Sequence, residues 1–437
     1  MSRRQARRTA APEDTFAAEA FAVAIDAFAR APRPLALRCS VQHYGWGDPA
    51  FIPRLLGRAN LGRRPFAELW IGAHPDLPAI ADLDGVEIPL DQLIAAAPKA
   101  LLGTRIIDRF GPRLPFLFKV LAASQPLSIQ VHPDRRQAND GFEREQRAGM
   151  PIANPKRNYH DRHHKPELLV ALSDFHALLG FRPLPRIAEI LAEAPEFSGL
   201  ADRFEPSTAG LETLYQWLMR MPQQEVNALL DPLIARLARE HASRPFGQDD
   251  YRFWLLRADR GFSIPGRRDR GLFSFLLLNL VQLQQGQAIF LPAGELHSYL
   301  QGAGLELMAN SNNVLRGGLT PKHIDVEELL RVVRFNPDLP TLVEPESIDG
   351  AGGRYRVPAP EMMLEQIRMS AGGTRQLEVD GIVLGIVLRG TVEIDANNGR
   401  ANLARERGEV LLIPAAWRGR LRCRQDAILY LARVPDA

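Results

Sequence analysis

His132, Glu167 and His297 stand out by type and setting. Two imidazoles and a carboxylate are a common catalytic zinc set, because together they leave one coordination position open. His132 sits near the end of Pro126-Leu127-Ser128-Ile129-Gln130-Val131-His132-Pro133. In an extended strand Leu127, Ile129 and Val131 share one face, and Ser128, Gln130 and His132 share the other. Prolines close both ends, and an apolar run at 114–123 comes just before. The polar face is therefore expected to look into a closed cavity, where Gln130 and His132 could both point at one ion. Taken singly, either histidine would more often be a hydrogen-bonded core residue. Both together with Glu167 favour the metal.

Other groups could complete a reactive centre around that ion. Lys165 shares a strand face with Glu167, where it could move protons, steady an oxyanion or simply pair with Glu167. Glu306 alternates with Leu305 and Leu307 on a strand after His297, so it faces the same cavity as a base or as a partner orienting a ligand histidine. Arg316 and Lys322 bracket Gly317-Gly318-Leu319-Thr320-Pro321. The glycines would let backbone approach an anion, and Thr320 is read as the N-cap of a helix with Pro321 in its first turn. Arginine grips an oxyanion with two parallel bonds, and lysine adds a point charge. Trp46 and Trp70 could wall a pocket, although core packing is the commoner use of such residues, and Glu68 could orient a ligand. His160, His163 and His164 read as a solvated loop with one member near the site.

Residues 1–36, rich in alanine and arginine, read as a flexible extension with a short helical stripe of Phe21, Ile25 and Phe28. Acidic Glu13, Asp14, Glu19 and Asp26 argue against a transit peptide. Short strands and turns then point to one β domain over 37–182 and 261–335. Residues 183–260 interrupt it with amphipathic helices, apolar residues recurring at spacings of three and four. From 336 to 437 the pattern is β again. A faint repeat links the two β regions: Gly286 with Pro292 recurs as Gly408 with Pro414. The second copy carries Trp417 and Arg418 where the first goes on to Glu295 and His297, so it has lost the means to hold a metal.

A chain of 437 residues, 46% hydrophobic, suits a protein of two or three domains. No run of eighteen apolar residues occurs, so no membrane span is expected. The net charge of +3 is spread without a basic block, which argues against nucleic acid as a partner. Cys39 and Cys423 offer no disulfide framework and suit a reducing compartment, so a cytoplasmic protein is expected. Lysine is scarce beside arginine, yet Lys165 and Lys322 both fall in the segments above.

The segment from Gly286 to His297, with spacing Gly-x5-Pro-x-Gly-x2-His, resembles the second motif of the cupin barrels. Four blocks are more specific: Gln130-Val131-His132-Pro133, His164-Lys165-Pro166-Glu167, Pro292-Ala293-Gly294-Glu295-Leu296-His297, and Asn313-Val314-Leu315-Arg316-Gly317-Gly318-Leu319-Thr320-Pro321-Lys322. Together with Trp46-Gly47-Asp48 and Ala67-Glu68-Leu69-Trp70 they resemble the type I mannose-6-phosphate isomerases. The likeness runs from Leu37 to Val333 and more loosely beyond. It implies a mostly β, jelly-roll-like cupin fold with one metal-binding and one degenerate barrel and an inserted helical module. It implies one zinc held by Gln130, His132, Glu167 and His297, and Arg316 as the family's active-site arginine. It implies reversible conversion of mannose 6-phosphate to fructose 6-phosphate. That reaction moves a proton between neighbouring carbons through an enediol-like intermediate. It would use Glu306, Lys165 and Arg316 for chemistry and Ser128, Lys322 and Trp46 to hold the sugar phosphate, in a monomer or weak homo-oligomer. The chain carries Asn312 where many relatives have Asp. Two alternatives are another metal-dependent cupin enzyme, such as an oxygenase, and a sugar-phosphate-binding homologue without activity.

Overall fold

The apolar run before the His132 strand shows how the sheet is built. In a computed structural model, which describes the backbone of residues 12–395 and 402–436, this run is the strand β6 (Phe116–Ala123), and all eight of its residues are buried. Its side chains alternate between two environments, as the two-residue period of a strand requires. Phe116, Phe118, Val120 and Ala122 join one large core cluster. Leu117, Lys119, Leu121 and Ala123 turn to the other side, where Leu121 and Ala123 join a cluster with Leu169, Phe175, Ile289 and Tyr299. A strand sealed on both faces reads as a continuous apolar run, and Lys119 is its one interruption.

In chain order the strands are β1 (Leu35–Arg38), β2 (Ser40–Gln42), β3 (Glu68–Ile71), β4 (Ile80–Leu83), β5 (Val86–Pro89) and β6, then β7 (Ile129–Val131), β8 (Glu167–Ala171), β9 (Phe175–Phe181), β10 (Leu278–Leu283), β11 (Ala288–Leu291), β12 (His297–Ala309), β13 (Leu315–Gly318) and β14 (Leu342–Val343). All but β1, β4 and β5 belong to an 11-stranded sheet. The 13-residue β12 is its spine. The first part of β12 pairs with β7 and β9, and from Gly302 onward it pairs with β6 and β8. The first part adds Tyr299 to the cluster around Leu121 and Phe175, and the second adds Ala303, Leu305 and Leu307 to the large core on the other side.

Helices over Leu184–Glu193, Thr208–Arg220, Gln223–Ser243 and Tyr251–Phe262 fill the expected amphipathic stretch. Their apolar stripes pack with Ile129, Val131, Leu178 and Phe181, so they cover the outer side of the strands that carry the site. Residues 346–433 supply six strands of a nine-stranded sheet, and β1, β4 and β5 complete it. β1 lies between Val410–Ile413 and β4, with Leu35 opposite Leu412. The segment read as a loose extension is more ordered than its composition suggests. Pro12–Arg30 is helical, Phe28 is buried, and Phe21 and Ile25 pack beside it. The arginines of the first eleven residues lie outside the described residues.

One element starts later than expected. Thr320 does not cap a helix; its hydroxyl accepts from the Lys322 N–H at 3.1 Å. The helix is Val326–Val332, capped by Asp325, whose carboxylate accepts from Glu328 N at 3.0 Å. An acidic cap followed by two glutamates outcompetes a threonine–proline start, because both the cap and the first-turn charges favour the N-terminus.

Candidate metal centre and active site

β7 is only three residues long, yet it brings three chemical groups into line. It lies between β12 and β13, with Gln130 directly opposite His297 on one side and Arg316 on the other. Directly opposed residues of antiparallel strands project to the same face. His297, Gln130 and Arg316 therefore form a row two strand spacings wide, roughly 10 Å. His132 follows Gln130 at the end of the strand. Glu167 opens β8, opposite Met308 of β12.

The ligating atoms of His132, Glu167 and His297 all lie within 4.8 Å of one another, and all three residues are buried. His132 Nε2 is 3.3 Å from the Glu167 carboxylate, and His297 Nε2 is 3.5 Å from it. The other ring nitrogens are occupied. His132 Nδ1 is 2.8 Å from the carbonyl of Asn313, and His297 Nδ1 is 3.0 Å from the carbonyl of Glu295. A carbonyl only accepts, so each Nδ1 carries the proton and each Nε2 keeps its lone pair.

The pocket's residues fit a metal ion. His132 Nε2 is fully buried and makes no hydrogen bond of proper geometry, which in a dry interior calls for another partner. Burial, then the nearby Lys165 charge, pushes the His132 imidazolium down to about 4. Burial lowers His297 as well. Burial would raise Glu167, but Lys165, then His132 and His297, overcome it and hold the carboxyl well below its usual range. Two neutral imidazoles and an ionised carboxylate are the protonation states a divalent cation needs.

Behind this centre lies a second polar group in the same closed space. Lys119 Nζ is 2.9 Å from Glu306 and 3.5 Å from Glu68. The Trp70 indole donates to Glu68 at 2.7 Å. Burial raises the Glu306 carboxyl even against Lys119. Burial, then Glu306 and Glu167, raises the Tyr299 hydroxyl well above its ordinary value.

Residues 35–184 match the family of the phosphomannose isomerase type I catalytic domain. A mannose-6-phosphate isomerase of Salmonella typhimurium is 43% identical over 301 residues, 68% of this chain and 74% of that protein. The human mannose-6-phosphate isomerase is 32% identical over 416 residues, 88% of this chain and 94% of that one. The chain belongs to the type I phosphomannose isomerase family. Its fold is β-rich with helices and of the cupin type. A crystal structure of a single-substitution variant of the Salmonella typhimurium phosphomannose isomerase superposes with a TM-score of 0.83 at 34% identity, covering 92% of this chain and all of that one. A zinc-bound mannose 6-phosphate isomerase superposes at 0.80 with 34% identity and the same coverage.

Around the family's metal-type cluster the remaining nominated residues fall into place unevenly. Lys165 pairs with Glu167 at 3.0 Å, the simple ion pair that the sequence offered as one reading. Glu306 faces the closed space but is held by Lys119. Arg316 is partly buried and makes no ion pair among the described residues. Burial lowers both Arg316 and Lys322, and the charge of Arg316 adds to the effect on Lys322. Ser128 is partly buried beside Gln130. Trp46 packs at the edge of the inner cluster and stacks on Tyr44 with centroids 5.7 Å apart. Trp70 is buried with Leu117 and Met308. Asn312 lies 3.2 Å from His74 Nε2. None of His160, His163 and His164 enters the metal cluster; His164 reaches Glu361 at 2.9 Å instead.

The glycine pair is consumed by packing. A side chain on Gly318 would sit 2.3 Å from the Gly271 Cα, and one on Gly317 would meet Ile129 and Tyr215.

Two residues escaped the sequence reading. Lys119 was visible as the one charge in an apolar strand, and its lysine identity in a chain that prefers arginine was a further signal. Asn313, fully buried, holds His132 through its carbonyl and ties down the histidine loop through its side chain. Its amide oxygen accepts from His160 N at 2.7 Å, and its nitrogen donates to Asp161 O and His163 O. Only its place in a motif block marked it.

Proposed function

We propose that this chain is a zinc-dependent aldose–ketose isomerase that interconverts mannose 6-phosphate and fructose 6-phosphate. The observation that carries the reading is the dry convergence of His132, Glu167 and His297, with the His132 Nε2 lone pair left without a hydrogen bond. In a chain of this family, Gln130 supplies the fourth ligand from its place opposite His297. The neutral amide leaves the ion a residual positive charge. When bound, the zinc draws electron density from a sugar oxygen and so makes the neighbouring C–H more acidic.

The chain's own groups do the rest. Glu306, a buried carboxyl with raised proton affinity, takes the proton from one carbon and returns it to the next. Lys119 holds that carboxylate in place. Lys165, beside Glu167, steadies charge at the reacting oxygens. Arg316 has no carboxylate partner among the described residues, so its two parallel donors are free for an oxyanion at the rim of the row. Ser128 and Lys322 engage the phosphate, and Trp46 walls the sugar.

The finer architecture belongs to the same reading. A catalytic cupin barrel spans 37–182 and 261–335, a helical module at 183–260 interrupts it, and 336–437 forms a degenerate barrel. The recurrence of Gly286 and Pro292 as Gly408 and Pro414 supports the pairing. Val410–Ile413 lies between the second pair, and Trp417 stands near the place of the metal histidine. A cytoplasmic location, with no nucleic-acid partner and a monomer or weak homo-oligomer, fits the two free cysteines, Cys39 and Cys423, and the absence among the described residues of any helix long and apolar enough to cross a membrane.

A coupled assay with mannose 6-phosphate, run before chelation, after it and after zinc return, tests the function. Activity should vanish with the metal and recover with it, and His297→Ala should lose zinc and turnover together. Full turnover in metal-free protein would overturn the reading. Stoichiometric zinc with no turnover would leave only a sugar-phosphate-binding role.

A further inference from the structure

A cavity of about 820 Å³ lies on the far side of the turn that carries His297. Its walls come from the end of β9, from β11 and the Pro292–Glu295 turn, from the connecting segment 336–343, and from 356–358. Its volume lies within the range of small-molecule sites, and its lining has their usual character of apolar walls with few charges. Phe290, Leu342, Val343 and Val357 supply apolar surface, and five prolines stiffen the rim. None of the metal-site residues lines it.

The charges in this cavity are unbalanced. Glu295 reaches toward Gly180, and its side chain makes no hydrogen bond or ion pair among the described residues. Gly180, in the left-handed region at φ +61°, leaves the space for that carboxylate: a Cβ there would sit 2.1 Å from Glu295 Oε1. The nearest cation, Arg334, lays its stem over Gly294 and points its guanidinium at Asp134, 3.8 Å away. Arg356, which does line the cavity, is held by Glu346 at 3.0 Å. Asp338, exposed at the rim, adds a second carboxylate. The cavity therefore presents two carboxyl groups that make no salt bridge among the described residues, Glu295 feeling the charge of Arg334 only from beyond contact distance, and one of the two is set among apolar side chains. Such a group gains most from a partner that brings both a positive charge and N–H donors.

We propose that this cavity is a binding site for a small organic ammonium, its apolar body against Phe290, Leu342 and Val357 and its N–H groups donated to the Glu295 carboxylate. The site is separate from the sugar-phosphate site and does not depend on the isomerase reading, because binding is measured without turnover.

The test uses the zinc-loaded full chain and three probes of matched length: hexylammonium, hexan-1-ol and hexanoate. Titration followed by calorimetry or by NMR shifts should show saturable one-to-one binding of hexylammonium, at least tenfold tighter than hexanol, with hexanoate weakest. Glu295→Gln is isosteric and breaks no intramolecular bond, so it should fold and hold zinc while losing the preference for the amine over the alcohol. Asp338→Asn, at the rim, should weaken the amine two- to threefold. Saturating mannose 6-phosphate should leave the amine affinity unchanged. Equal affinity for amine and alcohol, an unaltered preference in Glu295→Gln, or displacement by the sugar phosphate would each overturn the proposal.

Discussion

Lys119 is the residue on which the inner polar group turns. It sits between two buried carboxylates, Glu306 at 2.9 Å and Glu68 at 3.5 Å. Lys119→Met would leave both acids buried beside each other with no cation, and removing one partner of a buried pair costs about 3–5 kcal/mol. Urea denaturation should show a loss of that order, and turnover should fall because Glu306 loses its anchor; wild-type stability would remove Lys119 from this role. A second expectation concerns protons. His132 binds its proton less readily in the folded chain, at about 4 against the usual 6.5, and Glu167 is depressed too. Their stabilising contribution is full above the unfolded values and is lost as pH falls toward the folded ones. Metal-free protein should therefore lose melting temperature steadily from pH 6.5 down to 4. A flat melting temperature over that window would contradict the buried, neutral imidazole.

At the scale of elements, the active row depends on how β13 is held against its neighbours. The register slips between Arg316 and Gly318, and Gly318 adopts φ +139°, a region that side chains avoid. Its backbone lies against Gly271, where even one methyl group would come within 2.3 Å of Cα. Strain of this kind costs about 1–3 kcal/mol, and an overpacked contact about as much again. Gly318→Ala should lower stability by about 3 kcal/mol and reduce kcat/KM through a displaced Arg316, with zinc content unchanged. A thermal melt and metal analysis on the same sample decide it, and an unchanged melting temperature would mean that β13 tolerates the shift. The glycine pair was legible in the sequence as a place for close approach. What approaches was not legible, because the partner backbone lies some fifty residues earlier in the chain.

Across the whole molecule the two ends of the chain share one sheet. β1 fills the gap between Val410–Ile413 and β4. Glu361 takes His164 at 2.9 Å and Arg135 at 2.7 Å, and the Tyr355 hydroxyl donates to Gly286 O at 2.8 Å. A fragment of residues 336–437 would expose the edge at Val410–Ile413 and lose these ties, and an exposed apolar edge aggregates. Expressed alone it should be insoluble or lack dispersed NMR signals. A well-folded monomeric fragment would show that β1 is dispensable.

Residue type and two-residue alternation were enough to nominate His132, Glu167 and His297, because few side chains can bind a divalent cation and a polar strand face between prolines has few other uses. The helical stretch before the second half of the site was equally plain from its period. Tertiary structure alone decided that Asn313 and Glu295 lend their carbonyls to the two histidines, that Lys119 rather than solvent faces Glu306, and that the helix near Lys322 is capped by Asp325. It also decided that an N-terminal strand completes a sheet made by the C-terminal residues. Apart from the Glu295 carbonyl and the Asp325 cap, which act within a few residues, these are contacts between segments far apart in the chain. Such contacts follow from the register in which strands pair, and local periodicity leaves that register open.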